Sequence, residues 1–282
     1  MLLVGLSVQL ACVWEATARK PGNVHRYRDF EDASYLEFVL SAAAIAPVLD
    51  GAVERPVGQT ILEGVRATRQ VARTNTNLGI VLLLSPLATV PSNEPLRDRL
   101  LGVLERLDVE DACAAYEAIR LANPGGLGRV SEQDVHDEPT QGLREVMALA
   151  ADRDLIARQY INGFEQVFDE GVPALRHALD QGASLEKSII ACQLNLMARH
   201  ADSLILRKCG PQEAQEASRR AQQLLDAGGQ TSRDGWQMLA SFDAWLCEAG
   251  HTRNPGTTAD LIAACLFVGL REGVLSPLHP FQ

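Results

Sequence analysis

Aromatic residues are scarce, at 5% of the 282, and runs of Val, Ile and Tyr at alternating spacing are scarcer still. Strands are built on such residues, whereas Ala and Leu, abundant here, favour helix, so an all-α fold is expected. The six cysteines (Cys12, Cys113, Cys192, Cys209, Cys247, Cys265) form no CxxC and no Cys/His ligand spacing. That disfavours a zinc site and a disulfide framework and points to free thiols in a reducing cytosol. Basic residues are outnumbered, 26 against 36 acidic, for a net charge of −10, which argues against nucleic acid and anionic membranes as partners. Any anionic ligand has to meet a local basic patch. No apolar run is long enough to span a bilayer, "LGIVLLLSPLATVP" being too short, and the apolar start lacks the basic flank of a signal peptide. A cytoplasmic location is expected. No GxxxxGK[ST] occurs, which excludes a P-loop, and "GGLG" at 125–128 follows no strand as a dinucleotide site requires.

No repeat, low-complexity tract or linker interrupts the chain, so the expected architecture is a single-domain, multi-helix bundle over 1–282 with a central apolar helix. Helical patterning starts at once, breaks at Pro21-Gly22 and resumes in "ASYLEFVLSAAAIAPVL". "VGQTILEGVRATRQVAR" predicts a further helix, and the all-apolar "LGIVLLLSPLA" one that is buried all round. Beyond "VPSNEP", two amphipathic helices lead to "NPGGLGRVSEQDVHDEPT", too rich in Gly, Pro and acid to be helical. Helical runs follow over 140–181, 184–199, 211–227, 231–249 and 256–272. In the last of these, Thr257 and Asp260 fit a capping box.

What stands out is charge gathered at a turn. "ATARKPGNVHRYRDFED", residues 16–32, carries Arg19, Lys20, His25, Arg26 and Arg28 beside Asp29, Glu31 and Asp32. Cations suit phosphates, and carboxylates suit a metal ion or a hydroxyl proton; an exposed charged loop is the competing account. Arg66, Arg69 and Arg73 recur at i, i+3 and i+7 and share one helix face, which is either a solvated stripe or half of an anion site. The second half follows directly. Thr74, Asn75, Thr76 and Asn77 precede the apolar helix, whose first N–H groups are suited to phosphate. In the long loop, Glu132, Asp134, His136, Asp137 and Glu138 offer Mg²⁺ ligands or a base, or simply negative charge for the next helix start. His200, Asp202, Arg207 and Lys208 form a weaker set at a helix end. His136-Asp137 is an HD dipeptide, so a helical metal-dependent phosphohydrolase using His25 and His200 is one alternative, and a non-catalytic nucleotide-binding protein is another.

The motifs "ATARKPGNV", "RDF" and "TNTNLG" make the chain resemble the triphosphoribosyl-dephospho-CoA synthase family, whose members carry ATPKPGLVD-like, HxDM-like and NTHKG-like elements. Thr17, Lys20, Pro21 and Gly22 fall on the first motif, Asp29 on the aspartate of the second, and Asn75 and Thr76 on the third. "NPGTTADLIAACLF" resembles the family's C-terminal helix. The resemblance implies an all-helical enzyme that displaces adenine from ATP and joins the triphosphoribosyl group to the 2′-hydroxyl of dephospho-CoA through an α-ribosyl linkage. Its expected partners are a small-molecule nucleotide and a coenzyme-like acceptor, with Mg²⁺ as cofactor and a homodimer as the oligomeric option. Asp29, Asp134 and Asp137 are the implied catalytic acids, with Asp29 and Asp134 also as metal ligands. Thr17, Lys20, Gly22, Asn23, Arg69, Arg73, Asn75, Thr76, Asn77 and Gly126 are the implied substrate contacts. Asn77-Leu78 stands where the family has His-Lys, His25 has no matched aspartate beside it, and the Gly-rich loop lacks an RGEA-like run. The PGGLG and NPGTTAD patterns resemble a divergent branch associated with tetrahydromethanopterin, which implies ribosyl transfer to a pterin precursor as a variant of the reaction.

Overall fold

Capping chemistry sets where the helices begin. After α1 (Val4–Thr17), the chain turns at Pro21-Gly22 and enters α2 (Tyr35–Asp50) through Ser34, whose hydroxyl accepts the Glu37 N–H while Glu37 Oε2 accepts the Ser34 N–H at 2.9 Å. Asp108 and Asp111 form the same reciprocal pair at the head of α6 (Val109–Ala122). Between them run α3 (Val57–Arg69), α4 (Leu78–Ala88) and α5 (Leu96–Leu104). Then come α7 (Leu143–Ala148), α8 (Leu155–Asn162), α9 (Val172–Asp180), α10 (Leu185–Arg199), α11 (Ser203–Cys209), α12 (Pro211–Asp226), α13 (Arg233–His251) and α14 (Gly256–Arg271). The computed structural model describes residues 2–125, 128–130, 132–229 and 232–282. Among these there is no sheet, only an isolated bridge between His25 and Arg28, so the all-α expectation holds. No helix among the described residues is long and apolar enough to cross a membrane.

Every residue of α4 is buried, as its lack of polar side chains predicts. Its one hydroxyl, on Ser85, is satisfied within the helix by Val81 O at 2.7 Å. α14 is its partner, buried at nearly every position from Thr257 to Leu270. These two helices form the spine of the larger apolar core, with α1, α2, α3, α5 and α8 around them, and each fully buried Leu or Ile contributes about 1.5–3 kcal/mol. A smaller apolar core joins Ile190 and Leu194 of α10 to Ala217 of α12 and Phe242 of α13. α10 therefore belongs to both.

The T-x-x-D pattern at Thr257 and Asp260 is not a capping box. α14 is entered through Pro255 with no side-chain cap of its own, and its first turn is held from outside by Asp202, whose Oδ2 accepts the Thr258 N–H at 2.7 Å and the Thr258 hydroxyl at 2.8 Å. Asp202 Oδ1 also accepts the N–H groups of Leu204 and Ile205, so one buried carboxylate starts two helices. α3 likewise ends at Arg69, so Arg73 leaves the predicted helical stripe, and Arg66 pairs with Glu63 and Glu117 on the outer surface.

Candidate functional site

The heads of α4 and α14, the tail of α11 and the turn after α1 together wall a cavity of about 830 Å³. At its α4 corner, Asn75 Oδ1 accepts the Leu78 N–H at 3.0 Å and the Thr76 hydroxyl meets that of Ser41 at 2.7 Å. Asn77 Oδ1 accepts from the Thr68 hydroxyl at 3.0 Å, which leaves its buried Nδ2 without a partner. Among the described residues no acceptor meets the N–H of Gly79, one of the orphan donors of the first turn. Arg73 stands over this corner with its side chain 81% exposed, braced by Glu37 at 3.1 Å, and Arg69 donates to Arg73 O at 2.7 Å. The corner is thus donor-rich and cationic.

The Arg73 guanidinium and the Ser34 N–H pull the Glu37 carboxyl down to about 2 from its usual 4.5. A depressed carboxylate stabilises the fold above its unfolded value and loses that contribution as pH falls through the folded one. Thermal melts of Glu37→Gln against the parent should therefore show their full gap above pH 4.5, closing as the pH approaches 2.

A second pair of cations lies at the end of α11. Arg207 Nε donates to Gly125 O at 3.2 Å and its guanidinium is 3.7 Å from Asp154, while Lys208 is exposed at the cavity wall. The same lining also carries acids, Glu15 of α1, Asp154 ahead of α8 and Asp260 of α14. Glu15 is buried and ion-paired with Lys20 Nζ at 2.8 Å. Asp260 packs so closely under α4 that a Cβ on Gly79 would collide with its carboxylate, which is why glycine stands there. Burial and the charges of Glu15, Asp202 and Asp154 raise the Asp260 carboxyl well above the usual carboxylate range, against a smaller opposing pull from the Ile80 N–H. Phe30 and His251, also in the lining, stack with ring centroids 4.2 Å apart, and His251 holds a left-handed φ of 62° with its Nδ1 buried and unpartnered.

Of the residues proposed from sequence, the structure brings Asn23, Arg69, Arg73, Asn75, Thr76 and Asn77 into this one lining. Others are placed elsewhere. Lys20 is fully buried on Glu15 and does not line the cavity. The Thr17 hydroxyl donates to Val13 O and meets that of Tyr35, and Gly22, at φ 75° with Leu246 and Pro255 against it, donates its N–H to Asp243. Asp29 is exposed outside the lining, where its Oδ1 accepts the Tyr35 N–H at 2.6 Å. Asp134 accepts from the N–H groups of Val130 and His136 and from the His136 ring, contacts that hold it down at about 2 and make it a weak base at neutral pH. Asp137 is exposed in the same loop, and neither aspartate lines the cavity. Among the described residues, only the head of that loop, Asn123 to Gly125, does so; Gly126 lies outside them.

Because Asp29 serves the entry to α2, Asp29→Ala should cost about 1 kcal/mol of stability, the usual size of a lost helix-start acceptor, and leave turnover near the parental value. Denaturant titration beside an initial-rate assay measures both. The histidines do not converge either: His136 pairs with Asp134 at 2.7 Å, His200 with Glu170 at 2.9 Å, and His25 is partly enclosed beside Arg28, with its basicity lowered to about 4 chiefly by burial. Among the described residues no group of three or more His, Cys, Asp or Glu is gathered as a metal cage. Sequence reasoning missed Glu15, Asp154, Phe30 and His251 as lining residues and took Asp260 for a cap. The NPGTTAD pattern was the one signal that pointed to Asp260.

The fold and lining define an all-α protein with one cavity that gathers both cations and carboxylates. The family model described as CitG, ATP:dephospho-CoA triphosphoribosyl transferase, matches residues 3–276, and the chain belongs to that family. A relative from Malonomonas rubra named for 2-(5''-triphosphoribosyl)-3'-dephosphocoenzyme-A synthase is 24% identical over 88% of this chain and 80% of its own. One of the same name from Pseudomonas syringae pv. syringae is 27% identical over 74% of this chain and 65% of its own. One from Pseudomonas syringae pv. tomato is 32% identical over 42% of this chain and 40% of its own, so with these two Pseudomonas relatives the match spans less than two thirds of their length. The crystal structure of an Archaeoglobus fulgidus protein named for triphosphoribosyl-dephospho-coA synthase superposes with a TM-score of 0.66 at 25% identity, over 83% of this chain and 99% of that one.

Proposed function

We propose that this protein transfers a triphosphoribosyl group from ATP, or a related group from another ribosyl phosphate donor, to a hydroxyl of a dephospho-CoA-like acceptor. The observation that carries this reading is the pair of cationic regions in one cavity: Arg69 and Arg73 by the α4 corner, and Arg207 and Lys208 at the end of α11. A single triphosphate needs one such cradle; a donor and an acceptor that each carry a polyphosphate need two. In this arrangement the donor triphosphate meets Arg73, Arg69, the Asn75 to Asn77 side chains and the Gly79 N–H, and the acceptor pyrophosphate meets Lys208 and Arg207. The Phe30–His251 stack offers an aromatic face to a purine. As the glycosidic bond breaks, positive charge develops on the ribosyl carbon, which the acids of the lining stabilise.

Mg²⁺ suits this site as a bridge to polyphosphate. Glu31 and Asp32 are exposed at the rim beside Thr74, whose hydroxyl donates to Asp32 O at 3.3 Å. Two carboxylates with substrate phosphates and water complete the coordination Mg²⁺ prefers, and the bound ion supplies charge shielding to the triphosphate. Six free cysteines and ATP as donor are in keeping with a cytoplasmic reaction.

The test is to incubate purified protein with Mg²⁺ and either ATP or phosphoribosyl pyrophosphate, together with dephospho-CoA or a pterin-ribose precursor, and follow release of adenine or pyrophosphate by chromatography. Release that depends on one acceptor supports transfer and identifies the pair. Tight nucleotide binding with no product from any pairing overturns it in favour of a binding protein.

A further inference from the structure

We propose that Asp260 is the general acid of the transfer, giving its proton to the leaving base as the donor's glycosidic bond breaks. The inference rests on the transferase reading above. Geometry comes first: Asp260 reaches the cavity from α14, and its carboxyl lies against Gly79, beneath the head of α4, in the space a Cβ there would take. No lysine or arginine pairs with it among the described residues. The charged groups facing it are Glu15 of α1, Asp154 ahead of α8 and Asp202 ahead of α11, all carboxylates; Cys12 of α1 is a neighbouring thiol, and α4 presents no titratable side chain at all. Lys20 lies on Glu15 and Arg207 is 3.7 Å from Asp154, and neither pairs with Asp260.

A half-buried carboxyl lining the cavity among like charges, with one backbone N–H for support, is pushed toward its protonated form. That divides the acids of the lining into carboxylates that can stabilise developing charge, Glu15 on Lys20 and Asp154 near Arg207, and a carboxylic acid able to donate, the division of labour that acid–base catalysis requires. In the step, the C1′–N9 bond breaks and its electron pair stays on adenine, which takes the Asp260 proton at a ring nitrogen. The acceptor oxygen bonds to C1′, and the proton it loses returns through water to the Asp260 carboxylate. No further reactant is needed.

Asp260→Asn tests this, since it keeps the shape and removes a half-buried acid without orphaning any cation. Its melting temperature at neutral pH should not fall. With ATP, kcat should drop at least about a hundredfold, and the decline of parental kcat as rising pH removes the proton should disappear from the residual rate. With nicotinamide riboside 5′-triphosphate, whose base departs without needing a proton, the variant should keep most of the parental rate. Infrared difference spectra at neutral pH should show a protonated-carboxyl C=O band in the parent that Asp260→Asn lacks. Equal loss with both donors, an unchanged pH profile or the absence of that band overturns the assignment while the transferase reading stands. If the parent releases no base with any acceptor, the transferase reading falls and takes the acid role with it, whatever the spectrum shows.

Discussion

Lys20→Met should lower stability by about 3–5 kcal/mol, the usual cost of stripping the partner from a buried charge. Lys20 is among the largest fully buried side chains, its ammonium 2.8 Å from Glu15 Oε1 and also donating to Glu15 O. Without it, Glu15 must either take up a proton or leave an uncompensated charge in the wall beside Asp260. Removing both partners, as Lys20→Met with Glu15→Gln, should recover much of the loss, because the desolvation cost goes with the charges. Denaturant midpoints for the two single variants and the double variant, beside ATP titrations, separate the two roles for Lys20. A lysine holding phosphate would show its loss in ATP affinity with the denaturation midpoint unmoved. The structure predicts the reverse order of effects.

The second large effect divides by substrate. Arg73→Ala should raise the KM for ATP about ten- to a hundredfold, the equivalent of one charge-assisted hydrogen bond of about 1.5–3 kcal/mol, with the acceptor KM little changed. Lys208→Ala should do the opposite, weakening the acceptor and sparing ATP, since the exposed ammonium lies at the far cradle. Initial rates with each substrate varied in turn give both constants for both variants. If the two substitutions weaken the same substrate, the cavity holds one polyanion rather than two, and the bisubstrate reading loses its footing. High salt should blunt both effects, because these side chains face water.

Local rules read the sequence well where the physics is local. α4 was legible because eleven consecutive residues carry almost nothing polar, and the Asn75 to Asn77 corner because polar residues run directly into that helix, Asn75 accepting its Leu78 N–H. The same rules did not show that Asp29 and Asp134 lie outside the cavity lining. Both are acids in motif-like settings, but backbone N–H groups a few residues away claim them first. Asp260 was misread for the converse reason: Thr257 and Asp260 have the spacing of a cap, and nothing local reveals that Asp202, 56 residues before Thr258, already does that work.

By itself, the sequence determined an all-helical chain of this family, a donor-rich corner ahead of a buried apolar helix and a concentration of charge around Pro21-Gly22. Helix propensity, periodicity and capping act over a few residues, so they can be read in one dimension. Only the tertiary structure decided which charges face the cavity. It turned Lys20 inward onto Glu15, sent Asp29 to the surface, and brought Arg207, Lys208 and Asp260 to the same cavity as Arg73. Burial and ion pairing are set by neighbours distant along the chain, and those neighbours decide which side chains remain free to act.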